Sequence, residues 1–210
     1  MRSSLWAMAG GAILLAGVGL LWERPASAKD EESMKVAHLA VLEFAKGTMP
    51  GGEFVLELAA DGGIGRLESQ VPLDAAPKAC MEAAARHAGG GTATRADRQW
   101  VSGEVLWQIT HDVGGLRHET LMKPDGTVVG SEVATKPEAC AKGILDASEK
   151  AAPGSDLVAV ERITGPEALG KAEWHVKRRL GGEVLRISVL DDGSIGRVYR
   201  KIPSEVKVPR

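Results

Sequence analysis

The sequence predicts an α+β protein of tandem units, each with one helix laid on an antiparallel sheet built from β-hairpins. Three observations predict it. Asp61-Gly62-Gly63-Ile64-Gly65-Arg66-Leu67 and Asp192-Gly193-Ser194-Ile195-Gly196-Arg197-Val198 are nearly the same heptad, and Asp125-Gly126-Thr127-Val128 lies between them at spacings of 64 and 67 residues. Alternating apolar runs precede the outer two turns (Phe54, Leu56, Leu58; Leu185, Ile187, Val189), which is the pattern of a hairpin whose turn needs positive φ. Pro77-Lys78-Ala79-Cys80 and Pro137-Glu138-Ala139-Cys140 place proline at a first helical position, before stretches reaching about Ala88 and Lys150.

The elements follow in order. Arg2, an uncharged run from Ser3 to Trp22 and the small residues of Ala26-Ser27-Ala28 make residues 1–28 a secretory signal with cleavage after Ala28. The alternative is a retained anchor, since about 20 residues span a bilayer. Residues 29–76 form a truncated first unit: a helix from Glu31 to Lys46, with an acidic start and a stop at Gly47, followed by one hairpin. Residues 77–136 and 137–210 form the second and third units. Trp107 and Trp174 each stand 18 residues before their Asp-Gly, and Gly114-Gly115 and Gly181-Gly182 each begin 11 before it. Each of these units therefore gains a further strand and tight turn. Thr92–Val101 and Leu157–Ile163 supply the first strands, giving α-ββ, α-ββββ, α-ββββ.

Composition narrows the function classes. The 210 residues are 44% hydrophobic and 26% charged with net charge −2, which excludes a disordered tail and gives no basic field for nucleic acid. Removing residues 1–28 takes away Arg2, Arg24 and Glu23, leaving a mildly acidic chain. No phosphate-cradling glycine loop, no Gly-x-Ser-x-Gly elbow and no Cys-x-x-Cys is present, and Met122 stands where a zinc-protease motif beginning at His118-Glu119 would need its second histidine. The chain reads as a non-enzyme with no implied cofactor.

Few side chains remain as candidates for a site. His111 and His118 would approach across the hairpin at Gly114-Gly115 and are the candidate metal ligands, although two ligands alone do not complete a site. His175 reads as part of a solvated basic face with Lys177 and Arg179. Trp107 and Trp174 alternate with aliphatic residues and read as core, whereas Trp100, close to Arg98, is the candidate partner contact. Cys80 and Cys140 occupy matching places in the Pro-initiated helices. Their positions fit buried thiols, and export fits a bridge between them.

The recurring Trp107-Gln108-Ile109 and Trp174-His175-Val176, each followed by an alternating strand and an Asp-Gly turn, together with strands ending in Val71-Pro72 and Ile202-Pro203, resemble the PepSY and PepSY-like modules of bacterial secreted proteins. The segment Val71-Pro72-Leu73-Asp74-Ala75-Ala76-Pro77-Lys78-Ala79-Cys80 is similar to the strand-to-helix junction of the β-lactamase-inhibitor-like members. The resemblance implies small α+β units and a non-catalytic role in binding, inhibition or regulation outside the cytoplasm.

The sequence-level expectation is thus a periplasmic or secreted binding module that engages or inhibits a protein partner in the cell envelope through a sheet face or edge strands. No nucleic acid is expected, and membrane contact comes only through the signal segment if it is uncleaved. The alternative is a small-ligand or metal-sensing periplasmic protein using His111 and His118.

Overall fold

Strand edges decide the architecture. The computed structural model describes residues 53–59, 63–101, 103–165 and 173–205. Among the described residues ten strands form: β1 (Glu53–Ala59), β2 (Ile64–Val71), β3 (Thr92–Val101), β4 (Glu104–Val113), β5 (Leu116–Met122), β6 (Val128–Thr135), β7 (Asp156–Thr164), β8 (Glu173–Leu180), β9 (Glu183–Leu190) and β10 (Ile195–Glu205). Each pairs antiparallel with its neighbour in sequence, and β1 pairs with β10 from Glu53↔Glu205 to Ala59↔Tyr199, closing a barrel. Two helices, α1 (Lys78–His87) and α2 (Lys142–Ala151), precede the second and third sets of strands.

This corrects the expected fold class. The units are not separate helix-on-sheet layers, because their strands join one continuous sheet: Arg66 pairs with Val101 between β2 and β3, and Ser131 with Thr164 between β6 and β7. A lone four-stranded sheet would leave two rows of unpaired N–H and C=O groups, and closure satisfies both.

The alternation read from the sequence is present, with the apolar face turned outward. Ala96, Ile109 and Met122 pack under Cys80, Ala83 and Ala84 of α1, while Val160, Val176, Ile187 and Val189 pack around Ile144 of α2. A third outer cluster joins Phe54 and Leu67 with Leu56, Ile64 and Trp100. The intervening residues point into the barrel and are mostly polar; among them Val101, Leu106 and Leu121 form an apolar cluster with Val129, and the ladder places the buried Ile163 and Leu190 opposite Glu173 on the same face.

The Asp-Gly turns form as read at two sites. Gly126 (φ +87°) and Gly193 (φ +80°) sit in left-handed conformations, and the Asp125 and Asp192 carboxylates accept from the backbone N–H of Thr127 and Ser194. The matching turn brings Ala59 N–H to the carbonyl of Gly63, while Gly62 lies outside the described residues. So do the signal segment and the Glu31–Lys46 helix.

The junction into α2 departs from the expectation. Pro137 opens a three-residue 3-10 turn to Ala139, Cys140 and Ala141 are extended, and α2 starts only at Lys142. The same turn precedes α1 at Leu73–Ala75. Both helices therefore match at an offset of 64, and the partner of Cys80 is Ile144, one helical turn beyond Cys140. The cysteines are not equivalent. Both are buried free thiols. Cys80 lies on the buried face of α1 and Cys140 in the cluster around α2, so the bridge left open by the sequence is not formed.

Candidate functional site: a charged barrel lumen

Inward-facing positions carry paired charges contributed by most of the strands. On β1, Glu57 accepts from Arg66 Nη2 of β2 at 3.2 Å and Lys201 Nζ of β10 at 3.2 Å, and it also pairs with Arg186 of β9. Arg66 continues to Glu132 of β6 at 3.1 Å. On β7, Glu161 meets Lys177 Nζ of β8 at 2.7 Å and Arg117 of β5. Near the open end, Arg95 binds Asp97 at 2.6 Å and Glu68 at 2.9 Å.

These pairings set the titration of the lumen. Burial alone would raise the Glu57 carboxyl, but Arg186, Arg66 and Lys201 outweigh it and hold it well below the usual range. Glu132 is likewise lowered against burial, chiefly by Arg66 and His175. Glu119 goes the other way: burial, then the charges of Glu132 and Glu161, push it up to about 7. Glu119 and Glu132 are directly opposed across β5 and β6, and two adjacent carboxylates resist ionising together.

His175 is the main departure from the sequence reading. It is 1% exposed and faces the lumen, with Glu173 Oε1 at 3.3 Å and Arg186 Nη1 at 3.2 Å from its ring. Burial and Arg186 oppose its protonation, yet Glu132 and Glu173 raise it above the ordinary histidine value. The basic row Lys177–His175 is polar because it lines a closed lumen, and solvent exposure is not the cause.

One oxygen from each of Glu132 and Glu161 and one ring nitrogen of His175 lie within 4.8 Å of one another, a spacing that could hold a metal. The surroundings do not suit one. Arg66 already neutralises Glu132, Lys177 and Arg117 neutralise Glu161, and Arg186 lies against the His175 ring. A dication would face four positive groups at close range.

The other sequence candidates lie outside the lumen. His111 and His118 are directly opposed across β4 and β5, as the Gly114-Gly115 hairpin implies. His111 is 2% exposed, its Nδ1 has no hydrogen-bond partner among the described residues, and burial followed by the neighbouring His118 lowers its pKa. Trp100 is half-buried against Phe54 and Leu67, opposite Leu67 in the ladder. Arg98 is half-buried on the same face, and burial lowers its pKa. Trp107 packs against the α1 cluster. Trp174 packs against the α2 cluster, lies 4.7 Å under the Arg162 guanidinium and donates to Asp191 Oδ1 at 2.7 Å.

Glu57, Glu132 and Glu161 carry no recognisable motif in the sequence, and Glu119 stands only in the incomplete His118-Glu119 motif. Their signal was available: charges of both signs recur at the polar positions of successive strands, at Glu57, Arg66, Arg117, Glu119, Glu161 and Lys177.

Beside this network a cavity of about 380 Å³ opens to solvent, with Arg95, Arg117, Lys177, Glu68 and Glu119 among its lining residues. Thr110 Oγ1 and Glu132 Oε2, from two further lining residues, are buried and without a hydrogen-bond partner among the described residues.

No family model matches the sequence, so the PepSY-like reading gains no family match, and no curated protein matches it either. Among solved structures, a protein of Bacteroides eggerthii provisionally described as periplasmic is 13% identical, with 60% of this chain and 88% of that one covered at a TM-score of 0.46. A DUF2874 family protein of Bacteroides ovatus is 11% identical, with 60% and 89% covered at 0.44. A BLIP-like protein of Bacteroides fragilis is 13% identical, with 67% and 91% covered at 0.42. None of these likenesses bears on ligand, partner or activity.

Proposed function

We propose that the chain is an exported, non-catalytic binding protein whose ligand is a small polar molecule carrying both signs of charge, taken into the open end of the lumen. Export rests on the signal-like residues 1–28. The observation that carries the binding reading is the cavity of about 380 Å³ with cations and carboxylates in its wall, within the size range of small-molecule sites. Apolar side chains fill small barrels at lower desolvation cost than ions do, and buried ion pairs are weak stabilisers. A charged lumen therefore argues for use rather than for stability. The wall's cations are mostly held by carboxylates, which supports a receptor for a mixed-charge ligand over a nucleophile poised for reaction.

The protein-partner form of the reading loses its edge-strand route, because every strand is paired on both sides among the described residues. What remains for a partner is the outer surface.

A thermal-shift panel of free amino acids and dipeptides tests the lumen reading. At least one member should raise the Tm of the wild-type protein, and Arg95→Leu should abolish the shift. A panel that leaves the wild-type Tm unmoved overturns it.

A further inference from the structure

On the outer face of the barrel His111 and His118 oppose one another across β4 and β5, and His111 Nδ1 is buried with no hydrogen-bond partner among the described residues. Helix α2 and its strands explain what normally occupies that place. In the third unit the equivalent of His111 is Arg178, whose guanidinium donates to Ser148 Oγ at 3.2 Å, to Ser155 Oγ and the Ser155 carbonyl at 2.7 Å each, and to Glu149. At the 64-residue offset of the two helices, those three residues correspond to Ala84, Ala85 and Gly91. The second unit therefore keeps a buried polar side chain where its polar partners are gone. An uncompensated buried polar group costs stability, and the Nδ1 atom of His111 is such a group.

His118 stands where the third unit has Leu185, directly across the ladder from His111. Side chains opposed in this way have Cβ atoms about 5 Å apart. Two imidazoles can converge from that separation on one ion at metal–nitrogen distances of about 2 Å. Their flanking partners in the ladder, Ala93 and Val133, bring no competing charge.

We propose that His111 and His118 form a two-imidazole site on the outside of the barrel for a divalent transition-metal ion that favours imidazole, with water completing its coordination. The donor set favours copper(II) first and zinc after it, following the general affinity order for nitrogen ligands. The site is separate from the lumen and does not depend on the ligand proposed there.

Copper(II) titrated into the metal-free protein should bind at one equivalent, and its electron paramagnetic resonance spectrum should carry the splitting of two equivalent nitrogens. His118→Ala should weaken binding at least tenfold and remove the two-nitrogen pattern, with the Tm of the metal-free protein little changed because His118 is only half-buried. His111→Gln, which keeps a polar group in the buried place, should act likewise. Zinc should compete for the same equivalent. A two-nitrogen signal that survives His118→Ala, or no copper bound at millimolar concentration, overturns the proposal.

Discussion

Gly126 lies against the backbone of Ala79: a Cβ there would stand 2.7 Å from the Ala79 carbonyl oxygen. The Asp-Gly turn of the second unit thus packs on the first turn of its own helix. In the third unit the counterpart is looser, with the Gly143 carbonyl 3.8 Å from the Cβ position of Gly193. Both glycines have positive φ, so replacing either strains the backbone by about 1–3 kcal/mol. Only Gly126 adds a steric clash. Gly126→Ala should lower the Tm more than Gly193→Ala in parallel melts, and equal losses would mean that helix and turn are not in contact.

Gly65, in strand β2, needs its missing side chain for a different reason. A Cβ there would come within 2.4 Å of the Tyr199 ring, which is buried and lies 4.7 Å from the Arg186 guanidinium. Gly65→Ala should cost about 1–3 kcal/mol through overpacking, and the penalty should shrink in a Tyr199→Leu background. A double-mutant cycle in denaturant measures the coupling. A coupling of zero would separate the two residues.

Stability should fall as pH rises through neutrality. Glu119, raised to about 7, keeps in the folded state a proton that the unfolded chain releases near its ordinary value of 4.5, so folding loses free energy between those two pH values. His175, also raised, adds stability below its unfolded pKa that is lost as pH climbs through its folded one. Glu57 and Glu132 act oppositely, with their contribution lost at pH below the ordinary carboxyl range. Glu119→Gln should raise the Tm at pH 8 and leave it nearly unchanged at pH 4.5. Identical pH profiles for variant and wild type would remove Glu119 from this role.

The thiols should be slow and separate. Burial raises both Cys80 and Cys140 above the usual thiol value, which leaves little thiolate to react. Ellman's reagent should find two thiols in denatured, unreduced protein and react sluggishly in the folded state. Fewer than two before reduction would mean a bridge.

The hairpins, the positive-φ turns and the helix-before-strands order were legible because each rests on local chemistry, such as the Asp125 carboxylate capping Thr127 N–H. The closed barrel was not legible. Alternation of period two says that a strand has an apolar and a polar face, and says nothing about whether the polar face meets water or curls onto itself. His175 and Lys177 look the same in sequence in either case. The pairing of His111 with His118 was readable from the Gly114-Gly115 turn. The equivalence of Cys80 with Ile144 was hidden by the extended residues Cys140 and Ala141, which delay α2 by one turn past its proline.

The polar faces of the ten described strands enclose a lumen, and Glu57 sits where its closure can be measured. Its carboxylate serves Arg66, Arg186 and Lys201 from strands at both sides of the closure. Glu57→Gln would leave buried cations without their counter-charge, at a cost of about 3–5 kcal/mol. If the polar faces were instead solvated surfaces of separate sheets, losing the pair would cost about 1 kcal/mol or less. Urea denaturation of Glu57→Gln beside the wild type should give the larger loss, and a difference below about 1 kcal/mol would contradict the closed, charged lumen.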